Sequence, residues 1–202
     1  SGADDETVEE SSTIRWVPEG EDVALFAEML VDASVPSGFR REAATRLGRL
    51  GTREAAMVLE TVILDDDLIG RQAVMDGLAA VPELQPEIVM VVFRGLDEGV
   101  LPPAPAAGVL ANAGPQGMTL LISEFERTTD SEARIRLIDV LGRLGDPAAP
   151  GALVASLDRA TSEQELAAID SALRRWSNSD VRRNPVAWRA WWDNLKMDGQ
   201  GS

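Results

Sequence analysis

The densest cluster of carboxylates in the sequence is Asp65-Asp66-Asp67, and carboxylate oxygens are the ligands from which a calcium site would be built. An EF-hand loop requires acids at alternating positions, a central glycine and a distal glutamate. Asp65, Asp67 and Gly70 do not match that spacing. We therefore predict a solvated loop in which one aspartate supports Arg71, and no metal site.

The side chains that most often carry enzyme chemistry are missing, because the 202 residues include no Cys, His or Tyr. This excludes a thiolate nucleophile, an imidazole base, a Ser-His-Asp triad, disulfide bonds and a Cys/His zinc site. Paired carboxylates for glycoside hydrolysis remain compatible with the composition, but no pair stands out. The sequence thus predicts no catalytic residues, no cofactor and a protein that is not an enzyme.

The charge argues against a nucleic-acid partner. The chain has 34 acidic and 19 basic residues and a net charge of −15, whereas a duplex is held by Lys and Arg side chains that displace counterions. Residues 174–202 are the basic part, with six basic and three acidic side chains. The longest strongly apolar run, residues 88–93, is far shorter than the roughly 18 residues of a spanning helix, so we predict no transmembrane segment.

Residues 1–15 form an acidic stretch rich in Ser, Gly, Asp and Glu, which predicts a flexible linker. Such polar tails often follow a removed export signal or a lipid-attachment site, so a lipid or export-signal tether upstream is one interpretation, and a tag remnant at Ser1-Gly2 is another. All basic residues except Lys196 are Arg, as expected from a GC-rich bacterial genome. We favour the bacterial periplasm or cell envelope over the cytoplasm.

A repeat organises the rest of the chain. Residues 46–51 read RLGRLG and residues 140–145 read VLGRLG. Intermediate and later copies place anchor leucines 31 or 32 residues apart, at Leu47, Leu78, Leu110, Leu141 and Leu173. The residues four before and three after each anchor are apolar, which is the pattern of a buried helix face. Gly, Pro or Ser four residues after the anchor predicts the end of that helix.

Second amphipathic stretches lie between these helices, at residues 22–31, 53–64, 87–96, 117–126 and 148–157. Asp146 and Pro147 are predicted to be the N-cap and first residue of the last stretch. The residue after the anchor is small in four copies, which predicts close helix approach: Gly48, Ala79, Ala111 and Gly142. Residues 88–93 are rich in β-branched side chains, but their place in the repeat predicts a helix, and we expect no sheet.

The unit of two helices and a turn resembles HEAT repeats, particularly the short bacterial kind of the phycobilisome lyases. The resemblance lies in residues 41–51 (REAATRLGRLG) and 133–147, which end in LGRLGDP. It implies an all-α fold: an α-solenoid of about five HEAT-like helical hairpins over residues 16–178. In the third hairpin, Pro102, Pro103 and Pro105 should shorten the second helix and widen the loop before it.

The family usually places an Arg near the start of the second helix, paired with a preceding acid. Arg40, Arg71 and Arg134 occupy this column, and Asp67 and Asp130 each stand four residues before an Arg. We interpret the column as hydrogen bonds between hairpins that fix their stacking, with ligand binding as the alternative.

Residues 179–202 are predicted to cap the array. Asn184 and Pro185 begin a helix with Trp188, Trp191 and Trp192 on one face, which would cover the last hairpin at Trp176. The alternative is an aromatic patch that binds a peptide or an anion together with Arg182, Arg183 and Arg189.

The second helices carry a mixed-charge stripe at positions five before, two before and two after each anchor. In HEAT-like arrays these helices line the concave surface, so we predict a monomeric scaffold or adaptor that binds a protein or peptide there, rather than a merely solvated face. The charged residues of this predicted site are Glu42, Arg49, Asp76, Arg136, Asp139, Arg143 and Arg175.

Two other functions are compatible with the resemblance. One is an enzyme-associated module that handles a chromophore, as in the phycobilin lyases, although the absence of Cys, His and Tyr equips it poorly. The other is a HEAT-type DNA glycosylase, which would need a basic groove and aromatic contacts to bases, and the acidic body argues against it.

Deleting residues 185–202 tests the predicted cap. We expect a lower melting temperature or lower solubility, because a terminal helical repeat without its cap exposes apolar surface. Thermal unfolding and light scattering measure both quantities. A truncated chain as stable and as monomeric as the parent would contradict the capping interpretation.

Overall fold

The computed structural model describes residues 23–178 and 184–199, and over these residues the protein is entirely helical. The expectation of an all-α fold without a sheet is confirmed for this part of the chain, and residues 88–93 lie within a helix. The predicted linker at residues 1–15 lies outside the described residues, as do residues 179–183 at the predicted start of the cap. The described helices are α1 (Val23–Val31), α2 (Ser37–Leu50), α3 (Arg53–Leu64), α4 (Leu68–Ala79), α5 (Pro86–Asp97), α6 (Pro103–Leu110), α7 (Gly114–Arg127), α8 (Ser131–Arg143), α9 (Ala149–Ser156), α10 (Glu163–Trp176) and α11 (Pro185–Gly199).

The helices pack as hairpins and in two rows. Neighbours along the chain pack as the pairs α1/α2, α3/α4, α5/α6 and α9/α10, and Arg134 of α8 bonds to carbonyls at the end of α7. We call these pairs, with α7/α8 as the fourth, the first to fifth hairpins in chain order. The even-numbered helices α2, α4, α6, α8 and α10 each pack on the next in that order, and the odd-numbered helices α1 to α11 do the same. Each inner hairpin therefore packs against both the preceding and the following one.

The core follows the repeat. All five anchor leucines are buried, and so are the residues four positions before them. Of the residues three positions after, Leu50 and Trp176 are only partly buried. Except for Trp176, these side chains belong to one apolar cluster that extends from Phe26 of α1 to Trp188 of α11. The spacing of apolar residues thus predicted the buried face of every second helix.

The small residues after the anchors have two different surroundings. A Cβ atom on Gly48 would lie 2.6 Å from the Leu78 side chain, and one on Gly142 would lie 2.5 Å from Ala172. The predicted close approach is confirmed at both glycines. It is wrong at Ala79 and Ala111, which are exposed because α4 and α6 end at these positions.

Helix ends follow local chemistry. Gly51 adopts a left-handed conformation with φ of 60° and donates to the carbonyl of Leu47, which ends α2 as predicted. The predicted start of α9 is wrong: its N-cap is Ala148, and Asp146 instead accepts a hydrogen bond from the Ala148 backbone N–H in a turn before the helix. Asn184 accepts from the Ala187 backbone N–H, as an N-cap of α11 should.

The third hairpin departs from the others as its prolines predict. Its second helix, α6, has only eight residues and carries Pro103 in its first turn. Leu101, in the loop before α6, is buried over Gly95 of α5. The linker between α9 and α10 is longer still, so this loop is not the widest among the described residues.

The last helix, α11, packs on α9 through its tryptophans. Trp188 is buried and its indole N–H donates to Asp170 of α10 at 2.9 Å. Trp191 makes an edge-on contact with Trp176, with ring centroids 5.9 Å apart. Trp192 lies against Gly151 of α9. Three aromatic side chains of α11 thus contact the fifth hairpin.

A pair of glycine substitutions tests the close packing of α8 on α10. Gly142→Ala should lower the free energy of unfolding by about 1–3 kcal/mol, because its new methyl group would overlap Ala172. Gly145→Ala is the control, since a Cβ atom there has open space. Urea denaturation measures both. Equal stabilities of the two variants would contradict the described approach of the helices.

Candidate functional site

Arg40 is buried between the first two hairpins, with only 2% of its surface exposed. Its Nε donates to the carbonyl of Leu30 at the end of α1, at 2.7 Å. Its guanidinium also pairs with the carboxylate of Asp67, which precedes α4 in the next hairpin. One side chain therefore satisfies the end of the first helix and joins two hairpins.

Asp67 holds its position through the start of α4. Its carboxylate accepts hydrogen bonds from the backbone N–H groups of Ile69 and Gly70, both at 3.0 Å. The Gly70 N–H and then the Arg40 guanidinium lower the pKa of this carboxyl below its ordinary value. A Cβ atom on Gly70 would overlap the Arg40 guanidinium, so this pairing requires glycine there.

The aspartate loop supports Arg71 through a backbone carbonyl of Asp65 and not through the carboxylate of Asp67, four residues before it. Arg71 donates to the backbone carbonyls of Ile63 and Asp65, at 2.8 and 2.6 Å. Asp67, as the N-cap of α4, turns its carboxylate toward Arg40 of the preceding hairpin instead. The spacing of four residues indicated that Asp67 and Arg71 pair with each other. Instead, Asp67 caps the start of α4 and Arg71 bonds to the end of α3.

Arg134 repeats the arrangement of Arg40 in the fourth hairpin. Its guanidinium donates to the carbonyls of Phe125 and Thr128 at the end of α7, and it lies 5.0 Å from the centroid of the Phe125 ring. Its Nε donates to Glu165 of α10 at 2.5 Å. Glu165 is fully buried and also accepts from the Thr161 backbone N–H.

The acid that pairs with Arg134 was not predicted. Asp130 caps α8 by accepting from the Ala133 N–H, so the expected Asp130–Arg134 pair is wrong. Glu165 stands eight residues before its anchor Leu173, and Asp67 stands eleven residues before its anchor Leu78. The two acids thus differ in position by about one helical turn. An acid at either of these two positions before the anchor is therefore the signal for the partner of the arginine. The interpretation of the column as bonds between hairpins holds for Arg40 and Arg134.

The predicted partner site divides into separate groups. Asp139 of α8 lies between Arg143, at 3.1 Å, and Arg175 of α10, at 3.0 Å. We call these three residues the α8/α10 charge cluster. Their side chains have 31–39% of their surface open to solvent. Two helices of neighbouring hairpins form this cluster.

The other residues of the predicted stripe do not join the α8/α10 charge cluster. Arg136 is 23% exposed, and its guanidinium donates to the carbonyls of Leu96 and Asp97 at the end of α5. Glu42 pairs with Arg46, and Asp76 accepts from Gln72. Arg49 is exposed and has no partner among the described residues. Thr45 and Ala73, at stripe positions, are buried, so the stripe is not continuous.

The charged residues near the capping helix are engaged as well. Arg189 pairs with Asp158, and Lys196 lies over the Trp192 ring at 5.8 Å from its centroid. Arg182 and Arg183 fall outside the described residues. Across the described part of the chain, no group of three or more acids could hold a metal ion, and no helix is long and apolar enough to cross a membrane.

A groove between α3 and α5 was not anticipated from the sequence. It has a volume of about 670 Å³ and lies on the odd-numbered row, away from the stripe. In the sequence, the apolar residues Met57, Leu64 and Met90 indicate this groove, because they lie away from the buried helix faces that the repeat predicts. The α3/α5 groove is lined by Arg53, Ala56, Met57, Glu60, Thr61, Leu64, Glu87, Met90, Val91 and Arg94.

Comparison with known proteins gives no relative from which to transfer a function. No protein-family model matches the chain, and neither a curated protein nor a solved structure matches it significantly.

A double-mutant cycle tests the buried bridge between the fourth and fifth hairpins. Glu165→Leu should cost about 3–5 kcal/mol, because it leaves the buried Arg134 charge without its acid. Arg134→Met together with Glu165→Leu should cost less than the sum of the two single changes, since no unpaired charge remains. Urea denaturation gives all four free energies.

The exposed pair Arg127–Glu124 is the control for that cycle, because both residues lie on α7 and 73% of the Arg127 side chain is exposed. Arg127→Met should change stability little. Additive effects at Arg134 and Glu165 would contradict a bridge that stabilises the stacking.

Proposed function

We propose that this protein is a non-enzymatic helical-repeat scaffold, a HEAT-like α-solenoid of about five hairpins from a bacterium, that binds a protein or peptide partner along its even-numbered helices. The observation that carries the proposal is the α8/α10 charge cluster. Two arginines and an aspartate from successive hairpins lie together there, with part of each side chain open to solvent. A surface of this kind offers donors and an acceptor at fixed spacing to an extended partner.

The chemistry of the buried acids supports a structural rather than a catalytic use. Glu165 is bonded to Arg134, and Asp170 accepts from Trp188 and pairs with Arg174 at 3.0 Å. Each of these buried carboxylates joins one helix to another or to its own turn. A catalytic carboxylate must instead face a site that a substrate can enter.

The arrangement of the α8/α10 charge cluster also indicates how a partner would bind. Asp139 already neutralises part of the charge on Arg143 and Arg175, so a partner carboxylate would compete with it rather than meet two free cations. Binding should therefore weaken as salt concentration rises. The exposed Arg49 on α2 would give a second contact if the partner extends along the row.

The experiment is affinity capture from a bacterial lysate, followed by titration of the captured protein with purified variants. Arg143→Gln with Arg175→Gln removes both cations without adding like charge beside Asp139. We expect dissociation constants at least about tenfold weaker, which corresponds to about 1.4 kcal/mol. Arg127→Gln on α7 is the matched control and should bind like the parent.

Two results would contradict this proposal. One is a captured protein whose affinity is the same for the parent and the double variant, which would remove the α8/α10 charge cluster as the site. The other is a captured tetrapyrrole in place of a protein, detected by absorbance, which would favour the chromophore-handling alternative.

A further inference from the structure

The α3/α5 groove has an apolar floor and charged ends. Met57 is 60% exposed, although methionine is an apolar side chain. Met90 and Ala56 complete the floor. At one end Glu60 pairs with Arg94, and at the other end Arg53 and Glu87 have no partner among the described residues. The groove therefore combines an open apolar surface with unmatched charges of both signs.

This chemistry selects the kind of segment that fits. Methionine is flexible and makes favourable contacts between its sulfur and aromatic rings, so two methionines on the floor suit a tryptophan or phenylalanine. Arg53 calls for a carboxylate nearby, and Glu87 calls for a cation. The matching segment carries one large aromatic residue with a base close to it and acids further along.

The chain contains such a segment directly before α1. Residues 14–18 read IRWVP, and residues 19–22 add Glu19, Glu21 and Asp22. Trp16 is the one aromatic residue before α1, and it stands in an otherwise strongly acidic stretch. We propose that residues 14–22 of this chain occupy the α3/α5 groove, with Trp16 against Met57 and Met90.

The topology places the segment within reach of the groove. The hairpin of α1 and α2 brings the start of α1 to the end of α2, and α3 then begins after its N-cap Thr52 on the same edge of the array. Packed helix axes lie about 8–10 Å apart. The seven steps from Val23 back to Trp16 span up to about 23 Å when extended. That length is enough to cross α3 and enter the groove.

The order of charges along the segment agrees with the groove. Glu19, Glu21 and Asp22 lie closest to α1 and would pass the Arg53 end of the groove, where α3 begins. Arg15 lies beyond Trp16, further from the Arg53 end, and would meet Glu60. Reversing the direction of the segment would place the acids beside Glu60, which is unfavourable. The proposed contact does not depend on the partner site at α8 and α10.

The absence of native cysteine gives a direct test by disulfide trapping. Arg15→Cys with Thr61→Cys places one thiol in the segment and one on the α3 wall, and leaves Trp16, Met57 and Met90 intact. The control is Arg15→Cys with Glu28→Cys, because Glu28 is exposed on α1 and nearer to the segment along the chain. Mild oxidation of dilute protein is followed by non-reducing electrophoresis.

The expected result is an intramolecular disulfide to Cys at position 61 that forms at least about tenfold faster than the one to position 28, since an undocked segment would sample both at similar effective concentration. Equal rates, or no trapping at position 61, would overturn the proposal. Crosslinked dimers alone would also overturn it, because they would place the segment of a second copy in the groove.

Oxidation of methionine provides a second measurement on chains without added cysteine. With residues 14–22 in the groove, Met57 and Met90 should react with peroxide several-fold more slowly in the parent than in Trp16→Ala. Met197, exposed on α11, should react at the same rate in both chains. Trp16 precedes the described helices in the sequence, so circular dichroism should show the same helix content. An unchanged rate at Met57 would contradict the proposal.

Discussion

Two buried arginines hold the stacking of this protein, because each one satisfies helix carbonyls in its own hairpin and binds an acid of the next. The last carbonyls of an α-helix have no partner within the helix, and burying them unpaired is costly. Arg40 and Arg134 supply donors to the ends of α1 and α7. Asp67 and Glu165 then neutralise the two guanidinium groups across the hairpin boundary.

The buried arginine bridge is not repeated at every boundary between hairpins. The two boundaries bridged by a buried arginine join α2 to α4 and α8 to α10, where glycines allow close approach. In the third hairpin, Pro103 occupies the arginine column and α6 is short. Arg136 of α8 fills the gap by donating to the carbonyls at the end of α5. Arg136, a residue of the predicted partner site, thus satisfies helix carbonyls of the third hairpin.

The two faces of the array offer different binding chemistry. The even-numbered row presents charges that are already paired with each other, as Asp139 is with Arg143 and Arg175. The odd-numbered row presents an apolar groove with unmatched charges between α3 and α5. The two proposals therefore use different rows, the partner on the even-numbered helices and residues 14–22 on the odd-numbered helices. Both uses depend on rigid stacking, because each surface is made by helices of successive hairpins.

The sequence by itself determined the helices and their buried faces. The anchor Leu47 and its four counterparts predicted the core because a helical period fixes which side chains share a face. Gly51 and Asn184 marked helix ends because capping is local chemistry.

Only the tertiary structure decided which charges meet. Asp67 pairs with Arg40 rather than with Arg71, and Arg134 pairs with Glu165 rather than with Asp130, because the geometry of stacked hairpins brings together residues about 30 positions apart. The α3/α5 groove likewise exists only where two hairpins meet. Spacing along one helix predicts the side chains that share its face, but the distance between two helices depends on the packing of both.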